Sequence, residues 1–84
     1  MVLVDRIDAL ERRVRALVGT KDELGWRAVR AEATTVLVEL RSRYASERRE
    51  FLADGGAGEP SRTAAQLRRV REIIELIDGR LQTI

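Results

Sequence analysis

Hydrophobic residues recur along this chain at the spacing of helical faces, and polar residues fill the positions between them. The first such stripe has spacings of 4, 3, 4 and 3, and it consists of Leu3, Ile7, Leu10, Val14 and Leu17. Spacings of three and four place side chains on one face of a helix. The pattern therefore predicts a first helix over about residues 3–18.

The first stripe also keeps a heptad register along its whole length. With Leu3 at position d, Ile7 and Val14 fall at position a, and this combination favours a parallel two-stranded coiled coil. Arg6 at position g then lies opposite Glu11 at position e of a partner helix. A heptad stripe also serves an ordinary bundle. Two alternatives are therefore open: the helix pairs between copies, or it packs on the protein's own second helix.

A second, longer helix follows the interruption at Gly19-Thr20. Thr20 followed by Glu23 fits a capping box, which predicts a helix over about residues 21–53. Gly25 in its first turn costs about 1 kcal/mol relative to alanine and predicts a frayed or kinked start. The apolar stripe of this helix is wide, and it includes Trp26, Val29, Ala33, Val36, Leu37, Leu40, Tyr44 and Phe51.

Residues 54–60, Asp-Gly-Gly-Ala-Gly-Glu-Pro, predict a flexible loop. They lack the Gly-Lys-Ser/Thr of a phosphate-binding loop. Pro60 and a second capping box, Thr63 with Gln66, predict a third helix over about residues 61–82. Ile73 widens the stripe of this helix, which consists of Leu67, Val70, Ile74, Ile77, Leu81 and Ile84. The second and third helices should therefore form a long antiparallel hairpin.

These elements predict an all-α fold, a single domain over residues 1–84 with a short N-terminal heptad helix and a long helical hairpin. A chain of 84 residues builds a self-sufficient core with difficulty, and it has no cysteine or histidine for a disulfide or a zinc site of the usual kind. We therefore expect assembly into a homo-oligomeric helical bundle or ring. The residues expected at the interface between copies are Leu3, Ile7, Leu10, Val14, Leu17 and Trp26.

Charged residues are numerous but nearly balanced, with sixteen basic and fourteen acidic residues and a net charge of +2. No segment is a basic tail. The candidate nucleic-acid site is a basic set near the first turn: Arg12, Arg13, Arg15, Lys21, Arg27 and Arg30. These side chains would neutralise phosphates if the first two helices lie together there. The alternative is that they are solvated and partnered by Glu11, Glu23 and Glu32.

Catalytic chemistry is not indicated by the composition. Histidine and cysteine, the commonest general base and the best nucleophile, are absent, and no acidic cluster has metal-ligand spacing. We therefore expect no enzyme, no cofactor and no small-molecule substrate. No apolar run approaches the roughly 20 residues that span a bilayer, and charge follows the N-terminus too soon for a signal peptide. A cytoplasmic protein without a membrane partner is expected.

Two segments of the hairpin resemble the helical region of small terminase subunits from actinobacterial phages and prophages. The first is Leu-Val-Glu-Leu-Arg-Ser-Arg-Tyr at residues 37–44, and the second is Ala-Gln-Leu-Arg-Arg-Val at residues 65–70, continuing to Ile77. In that family a helix with Leu-Arg-x-Arg-Leu precedes a short acidic or glycine-containing loop and a helix with Gln-Leu-Arg-x-Val. The second half is also similar to the second helix of small phage head-tail joining proteins.

The resemblance to small terminase subunits implies a ring-forming, non-enzymatic protein that binds double-stranded viral DNA and presents it to a large motor subunit. The N-terminal region does not show the pattern of a helix-turn-helix. The apolar stripes alone fit a second function, that of a structural or adaptor coiled-coil protein that recognises a partner protein's helix by groove packing.

Overall fold

The computed structural model describes residues 3–53 and 61–83, and the regular structure of these residues is entirely helical. The helices are α1 over Leu3–Leu17, α2 over Glu23–Ala53 and α3 over Ser61–Thr83. The predicted all-α fold class is confirmed. The predicted loop at 54–60, the side chain of Phe51 and Ile84 at the end of the third stripe lie outside the described residues.

The turn between α1 and α2 differs from the predicted capping box. α2 begins at Glu23, two residues later than expected, because Asp22 is its N-cap. The Asp22 Oδ1 atom accepts a hydrogen bond from the Gly25 backbone N–H at 3.0 Å. Thr20 instead closes α1, since its hydroxyl donates to the Leu17 carbonyl oxygen at 2.7 Å.

Two glycines allow the chain to make this turn tightly. Gly19 has a φ of 84°, in the left-handed region where a residue with a Cβ is strained. A Cβ on Gly25 would come within 2.9 Å of the Leu17 side chain and 2.5 Å of an Asp22 carboxylate oxygen. The frayed start predicted from Gly25 is not found, because α2 is helical from Glu23 onwards. The glycine is instead required by the close approach of α1 to α2.

The start of α3 also differs from the prediction. α3 begins at Ser61, so Thr63 lies inside its first turn rather than at the cap. Thr63 is buried, and its hydroxyl donates to Glu47 Oε2 on α2 at 2.7 Å. Gln66 is buried as well. The predicted capping box is therefore wrong, because Thr63 joins α3 to α2.

α2 and α3 form the antiparallel hairpin that the sequence predicted. Near the start of α2, Arg30 donates to Asp78 on α3 at 2.5 Å. Towards the other end, Glu47 accepts the hydrogen bond from Thr63. The two contacts lie seventeen residues apart on α2 and fifteen apart on α3, in opposite chain directions. The hairpin is therefore the frame of the molecule, which measures 50 by 25 by 15 Å.

α1 lies along one face of this hairpin and runs antiparallel to α2. Arg6 pairs with Glu39 at 2.6 Å, and Arg13 pairs with Glu32. α1 has 15 residues and α2 has 31, which correspond to about 22 and about 46 Å of helix. α1 therefore covers mainly the half of the hairpin nearer the first turn. We call residues 41–53 and 61–71, towards the other end of the hairpin, the distal half, and α1 reaches it at Arg69.

A single core joins the three helices, and it is built from the predicted stripes. One detail differs: Ile73 is buried, whereas Ile74 is only half-buried, because α1 packs on the side of α3 that carries Ile73. The sequence could not tell on which side α1 would lie. The buried core residues are Ile7, Leu10, Val14, Trp26, Val29, Ala33, Val36, Leu40, Leu67, Val70, Ile73 and Ile77.

Candidate nucleic-acid interface

Two arginines of the predicted basic patch on α1 are partnered within the chain. Arg13 forms an ion pair with Glu32 on α2. Arg15 lies 4.0 Å from Glu11, one helical turn before it. Glu32 and Glu11 are two of the three glutamates that the sequence offered as partners for these arginines. Arg12, which directly precedes Arg13, is exposed and makes no ion pair with another described residue.

The part of the predicted patch on α2 is largely compensated too. Arg27 pairs with Glu23 at 2.8 Å, and Arg30 pairs with Asp78 at 2.5 Å. The hydrogen bond from Arg30 to Asp78, and then the attraction between their charges, raises the pKa of Arg30. Lys21 is exposed in the turn. Four of the six predicted phosphate-binding residues therefore already hold a carboxylate.

The apolar residues predicted to join copies lie against the protein's own hairpin. Arg6 and Glu11, which the heptad register would pair between copies, contact Glu39 and Arg69 of the same chain. Packing on the chain's own helices is thus the alternative that the structure displays. A seam between copies through these residues would require α1 to leave the hairpin. Of the six, Ile7, Leu10, Val14 and Trp26 are buried, and Leu3 and Leu17 are half-buried against the core.

Arg69 fastens α1 to α3. Its guanidinium donates to Glu11 Oε1 at 2.8 and 3.2 Å and to Asp8 Oδ1 at 3.0 Å. The hydrogen bond to Glu11, followed by the one to Asp8, raises the pKa of Arg69. Because this cation is shared by two carboxylates, it serves the structure and is not available to a ligand.

Trp26 is a packing anchor rather than a platform for a base. Its side chain is 1% exposed, so neither ring face is accessible for stacking. The indole N–H finds no acceptor among the described residues. A buried donor without a partner costs about 1–3 kcal/mol, so packing must outweigh this loss.

A different basic surface lies on the face of the hairpin that α1 leaves open. Arg41 on α2 faces Arg68 and Arg71 on α3 across a groove of about 370 Å³. We call this surface, with Tyr44, Ala64 and Leu67 as its floor, the basic groove. Arg68 and Arg71 share one side of α3 because three residues separate them. The helical hairpin thus brings together three guanidinium groups that are far apart in the sequence.

The arginines of the basic groove have no carboxylate partner among residues 3–53 and 61–83. Arg41, Arg68 and Arg71 are exposed, and none of them forms an ion pair with another described residue. Glu72 and Glu75 each follow an arginine by one turn without coming within ion-pair distance. Three guanidinium groups around a partly apolar floor favour a ligand with several negative charges, such as consecutive phosphates.

The distal half also concentrates the positive charge of the molecule. Together with the intervening residues 54–60 of the sequence, it carries eight arginines, one of which is the paired Arg69, and four acidic residues, a net charge of +4 over residues 41–71. The remainder of the chain carries eight basic and ten acidic residues, a net charge of −2. A small total charge of +2 therefore conceals a strongly polarised molecule.

Sequence reasoning missed the basic groove because it counted charges by consecutive segments. Residues 20–54 and residues 59–84 each carry nearly equal numbers of basic and acidic residues. Only the hairpin places the basic end of the second helix beside the basic start of the third. A signal was nevertheless present. If the second and third predicted helices are written antiparallel on either side of the glycine-rich loop, Arg41 falls opposite Arg68.

Metal sites and membrane spans were also sought among the described residues. No group of three or more potential ligands among residues 3–53 and 61–83 could hold a metal ion. No helix in this part of the chain is long and apolar enough to cross a membrane. Comparison with protein-family models, with curated proteins and with solved structures finds no match to this chain.

Proposed function

We propose that this protein is a non-enzymatic, homo-oligomeric helical protein that binds the phosphate backbone of double-stranded DNA through the basic groove. The observation that carries the proposal is the basic groove itself, where Arg41, Arg68 and Arg71 come together and none of them forms an ion pair with another described residue. Phosphate contacts supply most of the affinity of nucleic-acid binding without sequence preference. A polarised cationic end would also orient the protein on DNA during encounter.

The biological role that we propose is DNA packaging, as a component similar to small terminase subunits that presents viral DNA to a large motor subunit. The two segments that carry the resemblance, residues 37–44 and 65–77, contain Arg41, Arg68 and Arg71 of the basic groove. The likeness and the uncompensated charge therefore fall on the same surface. This coincidence supports the proposal, and it moves the expected DNA contact from the first turn to the hairpin.

The test compares two triple variants of equal charge. In the first, Arg41, Arg68 and Arg71 become glutamine, which neutralises the basic groove. In the matched control, Arg13, Arg15 and Arg30 become glutamine, which removes the same charge from arginines that are paired within the chain. Fluorescence anisotropy with a labelled DNA duplex gives the dissociation constant of each protein as salt rises, and circular dichroism verifies that each is folded.

The expected difference follows from counterion release. Each phosphate contact contributes about 0.9 to the slope of log affinity against log salt, so three contacts contribute about 2.7. Between about 50 and 200 mM salt, the wild type should therefore lose roughly 40-fold more affinity than the groove variant. The control should keep a slope close to that of the wild type. If both variants lose DNA affinity equally, the DNA site lies outside the basic groove. If the wild type does not bind DNA at about 50 mM salt, the packaging role is excluded.

The adaptor function remains the second candidate, and one observation favours it. Leu37, Tyr44, Ile74 and Leu81 are half-buried against the core, and α1 packs on the opposite side of α3. A partner protein's helix would find an apolar line there. In this case the chain would gain thermal stability with its partner and would not bind DNA. Large terminase, portal and capsid genes beside its own gene would favour the packaging role instead.

A further inference from the structure

The outward side of α2, opposite the core, carries a second apolar seam. Leu24, Val38 and Leu52 are 81, 58 and 64% exposed, the highest values among the large hydrophobic residues that the structure describes. Each is separated from the next by fourteen residues, which is two heptads. Large apolar side chains at this interval on an exposed helix face are unusual unless another surface covers them.

The positions between these three residues complete a heptad register. With Leu24 at position d, the remaining d positions are Ala31, Val38, Ala45 and Leu52. The a positions are the small residues Ala28, Thr35 and Ser42, followed by Arg49. All are exposed in the single chain. Small residues alternating with larger ones allow two helix backbones to approach closely, so this face suits a helix rather than a flat surface.

The charges on the two sides of the seam differ in sign. The charged residues at g positions are Arg27, Arg41 and Arg48, with Thr34 as the fourth g residue, and those at e positions on the other side are Glu32 and Glu39. In a parallel pair, g of one helix lies beside e of the other, so Arg27 would lie beside the second copy's Glu32. In an antiparallel pair, like positions meet, and arginine would face arginine while glutamate faced glutamate. The charge pattern thus selects a parallel partner with this same sequence.

We propose that a second copy of this chain packs its α2 on this face, parallel and in register, to form a two-fold dimer. Within each copy Glu32 binds Arg13 through Oε2, which leaves its Oε1 atom for Arg27 of the second copy, whereas Glu39, bound to Arg6, would lie beside the second copy's Thr34. α1 therefore stays in place on its own hairpin. The interface between copies is the outward face of α2 and not the heptad seam of α1.

The dimer gives a structural basis for the homo-oligomer in the proposed function, and its relevance to DNA rests on that proposal. Parallel packing brings both distal halves, and with them both basic grooves, to the same end of the dimer, one on each side of the two-fold axis. Two linked sites bind more tightly than either site alone wherever one DNA molecule reaches both. The dimer is tested without nucleic acid, so its failure would leave DNA binding through the groove unaffected, and failure of DNA binding would leave the dimer unaffected.

The orientation can be tested with single cysteines, because the chain has none of its own. In the parallel dimer the two copies of residue 24 face each other, so Leu24→Cys should form a disulfide-linked dimer under mild oxidation. In an antiparallel dimer they would be about 42 Å apart at 1.5 Å per residue, far beyond disulfide reach. Val18→Cys, which is exposed but lies off the seam, controls for random collision.

The affinity is tested by sedimentation equilibrium of the full chain. Val38→Asp places an unpaired charge in the centre of the interface and should raise the dimer dissociation constant at least roughly 100-fold. Leu76→Asp, exposed on α3, is the matched control and should leave it unchanged. Ala31→Glu is a second seam variant, should Val38→Asp lose helicity. A monomeric wild type, a dimer unaffected by both seam variants, or cross-links only between Leu24→Cys and Leu52→Cys chains would each overturn the proposal.

Discussion

Leu10→Ala tests whether α1 is an integral part of the single chain's core. Leu10 is 1% exposed and lies between α1 and the hairpin. Truncation of a buried leucine costs about 2–5 kcal/mol through lost burial and the remaining cavity. A domain of this size has a total stability of about 4–13 kcal/mol, so the change removes a large share of it. We expect the melting temperature to fall by roughly 8 °C or more.

Thermal melts followed by circular dichroism measure this loss, and urea titration gives the free energy of unfolding. Val18→Ala, at a 48% exposed position beyond α1, is the control and should change stability by less than about 0.5 kcal/mol. Melts at about 5 and about 100 µM protein distinguish a contact within the chain from a contact between copies. If Leu10 packed between copies, the fall in melting temperature would depend on protein concentration. A loss below about 1 kcal/mol would refute the packing of α1 on its own hairpin.

Two further substitutions follow from particular contacts. Gly79→Ala should raise the free energy of unfolding by up to about 1 kcal/mol, because it improves helix propensity where an added Cβ meets nothing within 4 Å. Gly25→Ala should lower the free energy of unfolding despite the same gain in helix propensity, because the added Cβ would collide with the Leu17 side chain. A more stable Gly25→Ala variant would contradict the close approach of α1 to α2. Arg69→Gln should lower the free energy of unfolding by about 1 kcal/mol at low salt and by less at high salt, because its two carboxylate partners on α1 are partly exposed and salt screens the contact. Urea titrations at low and high salt measure this change. A change in unfolding free energy that does not depend on salt would contradict an ionic contact.

The elements of this fold were predictable because they rest on local chemistry. The stripes from Leu3 to Leu17 and from Leu67 to Leu81 have helical spacing, and the glycine-rich stretch at 54–60 separates two helices that need each other. The helix starts were less predictable. Thr20 and Thr63 both fit the capping pattern, but Asp22 and Ser61 lie closer to the actual starts, since several hydroxyl and carboxylate side chains compete at each turn.

The candidate site was harder to predict because it depends on which charges meet after folding. Arg13 and Arg27 look like phosphate ligands in the sequence, yet each lies beside a glutamate in the structure. Arg41 and Arg71 look like scattered solvated residues, yet the hairpin brings both to one groove, where neither forms an ion pair with another described residue. Whether an arginine is compensated is a property of pairs distant in sequence, and the periodicity of single helices does not contain it.

The sequence by itself determined three helices, their apolar faces and the antiparallel hairpin, since each follows from spacings within one helix or across one loop. Only the tertiary structure decided where α1 lies, because its heptad stripe satisfies a partner copy and its own hairpin equally well. That placement buries Ile7 and Leu10 within one chain and leaves the outward face of α2, with Leu24 and Val38, as the exposed apolar seam. Burial and charge compensation arise from contacts between helices, so the structure was needed to locate both surfaces.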